Sequence, residues 1–215
     1  MTYKTRLRKL KKRFKRTFNK RNAFLVGIFI VLLIVLWAVM HQRNTIAPAA
    51  YKPLLEVIAK GESQGNYNAY FGSVANRDID FTRMSIADVL AWQKRFVDEG
   101  HASSAVGRYQ IIRPTLLGLV KELNLSTHEL YDQDMQDQLA VALVNRRGAV
   151  EFIDNKLSAE DFAHQLSKEW AALPKVIGDQ PENSFYAGDG LNQSLIDTQT
   201  SLNAVTKFKE LAQNS

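Results

Sequence analysis

A single carboxylate, Glu62, stands where a predicted apolar helix ends and a polar, aromatic segment, "SQGNYNAYFG", begins. The apolar side chains before it recur on one helical face: Leu54, Leu55, Val57 and Ile58. A carboxyl group that projects from such an apolar wall is partly desolvated, which raises its pKa and lets it donate a proton near neutral pH. Cleavage of a glycosidic bond needs a donor of this kind, because the leaving oxygen must be protonated. Spacing alone leaves the alternative that Glu62 is a solvated residue at a helix end.

The segment "SSAVGRYQII", residues 103–112, is the second place where side chains suited to ligand binding occur together. Gly107 allows the backbone to approach a ligand closely. Tyr109 offers a flat ring and a hydroxyl, and Gln110 offers both a donor and an acceptor, as recognition of a sugar requires. The alternative is an ordinary loop that enters a helix at Pro114, with Tyr109 in the core.

Other kinds of catalytic chemistry find little support in the sequence. The chain has no cysteine, which excludes a disulfide framework, a thiol nucleophile and a cysteine-type zinc site. Its histidines are scattered without zinc-binding spacing, and no phosphate-binding loop occurs, so we expect neither a metal nor a cofactor. Asp78 and Asp80 are candidates for a second carboxylate, with turn formation as the alternative role.

The order of these clusters resembles the phage lambda-type endolysins, within the wider lysozyme and lytic transglycosylase superfamily. The resemblance rests on "GES" around Glu62, on "GRYQ" at residues 107–110, on "RGA" at residues 147–149 and on "WAALP" at residues 170–174. It covers residues 54–184, which is most of the chain beyond its N-terminal segments.

This resemblance implies a lysozyme-like fold and cleavage of peptidoglycan glycan strands between N-acetylmuramic acid and N-acetylglucosamine. Glu62 would act first as the acid and then as the base. The residues expected to contact the substrate are Ser63, Tyr70, Tyr109 and Gln110. A lytic transglycosylase needs no second carboxylate, because the 6-hydroxyl of the sugar itself attacks. Two alternatives stay open: a hydrolytic lysozyme that uses Asp78 or Asp80, and a non-catalytic membrane protein of a virion or envelope complex whose lysozyme-like domain binds glycan.

The elements that position these residues are predicted to be mostly helical. Capping spacings at Ser85 and Ser158 start two helices, the second of which is predicted to end just before Pro174. A last helix is predicted over residues 191–213, and residues 72–84 are the predicted place of a small hairpin or irregular lobe. The predicted class is mostly α, a lysozyme-like α+β fold with a small hairpin lobe after one transmembrane helix.

Charge and hydropathy divide the start of the chain into three parts. Residues 1–22 contain eleven Lys or Arg and no Asp or Glu, and residues 23–40 contain no charge. A helix over the second part would be about 27 Å long, close to the thickness of a bilayer core, which predicts a transmembrane helix. Residues 41–53 are polar and then Ala/Pro-rich, and we interpret them as a linker to one domain at residues 54–215.

The positive charge before residue 23 predicts a cytoplasmic N-terminus, one span in the inner membrane and a catalytic domain in the periplasm, with a virion membrane as the alternative. We expect the basic tail to touch anionic lipid and not nucleic acid, for which it carries no motif. Beyond the tail, 17 basic residues accompany 22 acidic ones, which does not suit a polyanion-binding protein. A signal peptide cleaved near residues 46–50, or a buried core helix, are the other interpretations of residues 23–40.

Overall fold

The computed structural model describes residues 20–42 and 46–214, with side chains for residues 25–36 and 46–214. The chain forms two compact units, which divide between Thr45 and Ile46. The predicted basic tail lies, up to residue 19, outside the described residues. The candidate catalytic residues all belong to the second unit.

The first unit contains helix α1, Lys20–Gln42, so a helix is present at the predicted residues 23–40. The large apolar side chains between residues 25 and 36 are all exposed, on every face of three helical turns. No helix among the described residues satisfies the requirements of length and apolarity for a membrane span. The transmembrane assignment of residues 23–40 therefore stays a prediction.

The second unit is mostly helical, as predicted. Its α-helices are α2 (Lys52–Ser63), α3 (Ile86–Asp98), α4 (Arg113–Glu122), α5 (Gln133–Arg146), α6 (Ala149–Ile153), α7 (Ala159–Ser167) and α8 (Thr198–Gln213). Side chains that accept a hydrogen bond from the first helical turn cap four of them: Ser85, Asp132, Ser158 and Asp197. Each cap satisfies an N–H group that a helix start leaves unpaired. The predicted caps Ser85 and Ser158 are confirmed.

One apolar core lies among these helices, and α2 packs against α8 along it. The largest fully buried side chains are aromatic: Tyr109, Tyr131, Phe81, Phe152, Phe162 and Phe208. Burial of a side chain of this size stabilises the fold by roughly 1.5–3 kcal/mol relative to leaving it in water. Because Phe81 and Tyr109 lie outside the helices, the core also fixes the turns that surround the site.

The first turn of the second unit, Pro48–Tyr51, packs on the domain. The ring centroids of Tyr51 and Phe208 lie 5.1 Å apart, and the Tyr51 hydroxyl donates to Asn145 Oδ1 at 2.6 Å. Tyr51 is only 3 % exposed. The predicted linker therefore does not include residues 46–53, because Tyr51 completes the core between α2, α5 and α8.

The small hairpin predicted for residues 72–84 does not form. No strand occurs within residues 46–214, and the local pairing is limited to isolated bridges of Tyr70 with Ser73 and Val106. Residues 72–84 take the other predicted form, an irregular lobe, which contains the 3₁₀ turn Phe81–Arg83. The helical part of the predicted fold class is right and its β part is wrong.

Asparagine side chains replace a strand ladder in this lobe. Asn76 is 6 % exposed, donates to the carbonyls of Asn68 and Ile79, and accepts from two main-chain N–H groups. Asn66 donates to the Val74 carbonyl at 2.7 Å. Because an amide side chain can satisfy both a donor and an acceptor of the main chain, these residues stabilise the lobe without strand pairing.

Candidate active site

Glu62 lies in the last turn of α2, which ends at Ser63 because Gln64 takes a left-handed conformation with φ +53°. The N–H groups of Gln64 and Gly65 both donate to the Ala59 carbonyl and close the helix end. Glu62 is half-buried, so part of its side chain reaches solvent. The predicted placement of Glu62 at a helix end is confirmed.

A main-chain N–H from a distant segment holds the Glu62 carboxyl group. The Ala172 N–H donates to Glu62 Oε1 at 3.0 Å. It is free to do so because α7 ends at Ser167, and not just before Pro174 as predicted. Inside a continued α-helix, this N–H would be bonded to the carbonyl four residues earlier. The early end of α7 therefore creates the contact with Glu62.

Burial raises the pKa of the Glu62 carboxyl to about 7, and the hydrogen bond from the Ala172 N–H opposes this shift by favouring the charged form. A carboxyl group with such a pKa populates both protonation states near neutral pH. It can therefore give up a proton and take one back. The Ala172 N–H is in place to stabilise the carboxylate between these two steps.

Ser63 links the end of α2 to the turn at residues 107–110. Its side chain is fully buried, and its hydroxyl donates to the Arg108 carbonyl at 2.7 Å. The predicted contact of Ser63 with a substrate is not available in this geometry, because the residue exposes no surface to solvent. Its hydrogen bond instead fixes the spacing between Glu62 and the second cluster.

Tyr109 and Gln110 take different places in the structure. Tyr109 is 2 % exposed, its hydroxyl donates to Asp137 Oδ1 at 2.7 Å, and its carbonyl accepts from Trp170 Nε1 at 3.2 Å. Tyr109 is thus a core residue and does not line a cleft. Gln110 is half-buried with φ +46°, and its Nε2 donates to the Gly107 carbonyl at 2.8 Å. Gln110 is therefore partly exposed, while its amide N–H is bonded within the turn.

Tyr70 is half-buried in a cluster of aromatic rings. Its centroid lies 5.4 Å from that of Trp92 and 5.5 Å from that of Phe96, both edge to face. Edge-to-face rings at this separation attract each other beyond their burial. Tyr70 therefore holds the irregular lobe on α3, and its predicted contact with substrate stays a prediction.

The end of α2, the turn at residues 107–110 and the stretch at residues 168–174 all lie within a region that matches a known protein family. The family model, described as endolysin, matches residues 52–189. The chain belongs to the endolysin family. Membership makes it a peptidoglycan-degrading enzyme of phage type. No curated protein and no solved structure is significantly similar to the chain.

The "RGA" motif of this endolysin fixes the stretch that carries Ala172. Arg147 Nε donates to Glu169 Oε2 at 2.8 Å, and its Nη2 donates to the Lys168 carbonyl at 3.2 Å. Trp170 follows directly and is 3 % exposed, so it is a core residue and not a sugar platform. The "RGA" and "WAALP" motifs act together, because Arg147 and Trp170 hold residues 168–170, the part of the irregular stretch directly before Ala172.

The two candidate second carboxylates of the endolysin lie on the exposed surface of the lobe. Asp80 Oδ1 accepts a hydrogen bond from Thr82 Oγ1 at 2.6 Å, and Asp78 is held at its main-chain N–H by Asn76 Oδ1. Neither carboxylate shares a hydrogen bond with Glu62 among the contacts of residues 46–214. In that part of the chain, no group of three His, Cys, Asp or Glu side chains is placed to hold a metal ion.

Arg108, which the sequence interpretation passed over, connects α2 to both turns of the endolysin site. Its Nη2 pairs with Glu56 Oε2 at 2.8 Å, and its Nη1 donates to the Gly65 carbonyl at 3.0 Å. The guanidinium lies 4.9 Å from the centroid of the Tyr67 ring. The "GRYQ" motif could have pointed to Arg108. Its Arg and Tyr residues stabilise the fold around the site and do not line it.

Gly61 allows the close approach that brings Ala172 to Glu62. A Cβ at position 61 would lie 2.8 Å from Ala172 Cβ and 3.0 Å from Ile196 Cγ1. Carbon atoms in contact normally lie about 3.5–4.0 Å apart. The Ala172 carbonyl accepts from the N–H groups of Leu195 and Ile196 at 2.9 and 3.1 Å, so this segment cannot move aside freely.

We expect Gly61→Ala to lower the free energy of unfolding by about 1–3 kcal/mol, because the added methyl overpacks this contact. Displacement of the Ala172 N–H from Glu62 should also lower turnover on peptidoglycan by about tenfold to a hundredfold. The matched control is Gly118→Ala in α4, where a Cβ meets no atom within 4 Å. It should stabilise the protein by up to about 1 kcal/mol through helix propensity and leave turnover unchanged. Urea denaturation and a dye-release assay measure both quantities, and equal behaviour of the two variants would contradict the role of Gly61.

Proposed function

We propose that this endolysin is a lytic transglycosylase in which Glu62 is the general acid and then the general base. The observation that carries the proposal is the environment of Glu62, whose burial raises its pKa to about 7 while one main-chain N–H supports its charged form. The bond cut would be the one between N-acetylmuramic acid and N-acetylglucosamine.

In this reaction, the protonated Glu62 donates its proton to the glycosidic oxygen as the bond to the anomeric carbon of N-acetylmuramic acid breaks. The N-acetylglucosamine unit leaves as an alcohol, and positive charge builds on the remaining sugar ring. The Glu62 carboxylate then removes the proton from the 6-hydroxyl of the same sugar, whose oxygen bonds to the anomeric carbon. The product carries a 1,6-anhydro ring, and Glu62 is protonated again, so no water is consumed.

The geometry supports different roles for the predicted binding residues: one would bind the glycan and the others would hold the surrounding structure. Gln110 is partly exposed and would bind the glycan through its amide group. Ser63 and Tyr109 are buried and would hold the turn that presents Gln110. Tyr70 would support the lobe through its ring contacts with Phe81 and with Trp92 of α3.

We further propose that the enzyme is a single-pass inner-membrane protein, with its N-terminus in the cytoplasm and its catalytic domain in the periplasm. The support is the run of eleven basic residues in positions 1–22, which would face anionic lipid, and the uncharged stretch at residues 23–40. A virion membrane would suit the same sequence. An anchor would hold the enzyme beside the wall and limit its reach.

The deciding experiment digests purified peptidoglycan with the full-length protein and with its Glu62→Gln variant, and identifies the fragments by mass spectrometry. We expect anhydromuramic ends from the native protein only. Reducing ends would show hydrolysis and direct attention to Asp78 and Asp80. Release of no fragment by the folded native protein would favour a structural, glycan-binding membrane protein.

A further inference from the structure

Asp137, on α5, gathers two tyrosine hydroxyls on a single carboxylate oxygen. The Tyr67 hydroxyl donates to Asp137 Oδ1 at 2.9 Å, and the Tyr109 hydroxyl donates to the same atom at 2.7 Å. The carboxylate is half-buried, and the Arg108 guanidinium lies over both rings, 4.9 and 5.9 Å from their centroids. Hydrogen bonds to a carboxylate are stronger than those between neutral groups, so Asp137 holds the two tyrosine side chains strongly.

The two tyrosines belong to different segments of the site. Tyr67 lies in the turn that follows Glu62, and Tyr109 lies in the "GRYQ" turn beside Gln110. Asp137 therefore ties the segment that carries the acid to the segment that presents the partly exposed Gln110. Such a tie is useful because catalysis depends on the spacing between groups that act on the same substrate.

Gln136, the preceding residue on α5, makes the same connection through the main chain. It is fully buried, its Oε1 accepts from the Arg108 N–H at 2.9 Å, and its Nε2 donates to the Tyr67 carbonyl at 3.2 Å. Two consecutive side chains of one helix thus hold both turns, at a hydroxyl and at a main-chain group of each segment. Because α5 is a rigid helix, it sets the spacing between the two turns.

Asp137 does not share the support of Glu62 itself. The Glu62 carboxyl is held by Ala172, and burial, with no contribution from Asp137, accounts for its raised pKa. A change at Asp137 should therefore move the two turns relative to each other while the acid keeps its own environment. This separation allows a positioning role to be distinguished from a general loss of the site.

We propose that Asp137, supported by Gln136, is a positioning residue. It sets the width of the glycan-binding site between the turn that follows Glu62 and the turn at residues 107–110. The inference rests on the proposed function, since it assigns both turns to one substrate. It predicts control of substrate binding and not of proton transfer.

The test compares Asp137→Leu and Asp137→Asn in the full-length protein with soluble, uncross-linked glycan chains as substrate. Leucine accepts no hydrogen bond, and we expect KM to rise about tenfold with kcat within about twofold. Asparagine keeps an oxygen that accepts both hydroxyls, and we expect it to restore KM to within about twofold of the native value. The acidic and basic limbs of the pH profile of kcat should be unchanged in both variants. The matched control is Asp134→Leu, an exposed carboxylate on the first turn of the same helix.

If Asp137→Leu does not fold, Tyr67→Phe provides the same measurement, because it removes one of the two hydroxyls from a half-buried ring. We then expect a smaller rise in KM than for Asp137→Leu. If adding Tyr67→Phe to Asp137→Asn did not raise KM, Asp137 would not act through this tyrosine. Equal losses in KM and kcat, or an effect of Asp134→Leu as large as that of Asp137→Leu, would overturn the proposal. A native protein that cuts no glycan would instead overturn the proposed function and leave these comparisons without a signal.

Discussion

Replacing Glu62 with glutamine is expected to remove glycan cleavage and, at alkaline pH, to make the folded protein more stable. Loss of a general acid and base lowers the rate by about 10²–10⁴-fold, and glutamine can neither give nor take the proton. The amide keeps the size of the side chain and an oxygen that can accept from the Ala172 N–H. Activity on peptidoglycan and the free energy of unfolding between pH 4 and pH 8 measure the two effects.

The gain in stability follows from the direction of the pKa shift. The folded-state pKa of Glu62, about 7, lies above the ordinary value of 4.5 that applies to the unfolded chain. The folded state therefore binds more protons than the unfolded state between these values, and native stability falls as the pH rises through this window. Above pH 7 the burial of the charged carboxylate costs about 3 kcal/mol, which Glu62→Gln does not incur. Below pH 4.5 both side chains are neutral, so the difference should vanish.

The control for this comparison is Asp78→Asn, a substitution of an exposed carboxylate in the lobe. It should give no stability difference that grows between pH 4.5 and pH 8, and it should retain activity if no second carboxylate is used. If the difference in free energy of unfolding between Glu62→Gln and the native protein did not change with pH, the native carboxyl would not be held protonated by burial. Retained cleavage by that variant would exclude Glu62 as the acid.

Gly107→Ala should unfold or severely destabilise the enzyme. Gly107 has φ +81°, and a Cβ there would collide with Gln136 Oε1 and lie 3.0 Å from the Tyr131 hydroxyl. Both neighbours are fully buried, and Gln136 is already committed to two segments, so neither can move aside cheaply. We expect a loss of about 3 kcal/mol or more in the free energy of unfolding, from overpacking together with backbone strain.

Gly72→Ala is a close control for the steric part of this effect. Gly72 has the same φ of +81°, but a Cβ there meets no atom within 4 Å. Strain of the left-handed conformation alone should cost about 1–2 kcal/mol. Chemical denaturation of the two variants gives the difference directly. Losses of equal size would mean that the contact with Gln136 does not constrain position 107.

Local sequence signals were sufficient for two helix starts and for the placement of Glu62. The caps at Ser85 and Ser158 act within one turn of chain, so their spacing carries the information needed to predict them. The apolar face of α2 is likewise a local pattern, and it placed Glu62 near the helix end. The last helix was predicted to span residues 191–213, and its start was wrong, because Asp197 caps the helix and the first helical residue is Thr198.

What the sequence could not show depends on contacts between distant residues. The bond between Ala172 and Glu62 joins positions 110 residues apart, and it requires α7 to end early, against a helical pattern that continues to Pro174. A tyrosine ring suits the core as well as the lining of a cleft, so the residue type of Tyr109 does not decide between these places. The hydrogen bond from its hydroxyl to Asp137 holds it in the core. The lobe has no strand because its asparagine side chains satisfy the main chain, and composition does not reveal which carbonyls they reach.

The packed turn Pro48–Tyr51 also determines where proteolysis of the chain would leave the second unit intact. A cut before Ile46 would leave the Tyr51 ring on Phe208 and its hydroxyl on Asn145, so the freed domain would keep its core. A cut only a few residues later, within residues 52–53, would remove Tyr51 and expose the apolar surface beneath it. The peptide bonds whose cleavage leaves the core of this unit intact are therefore those before this turn.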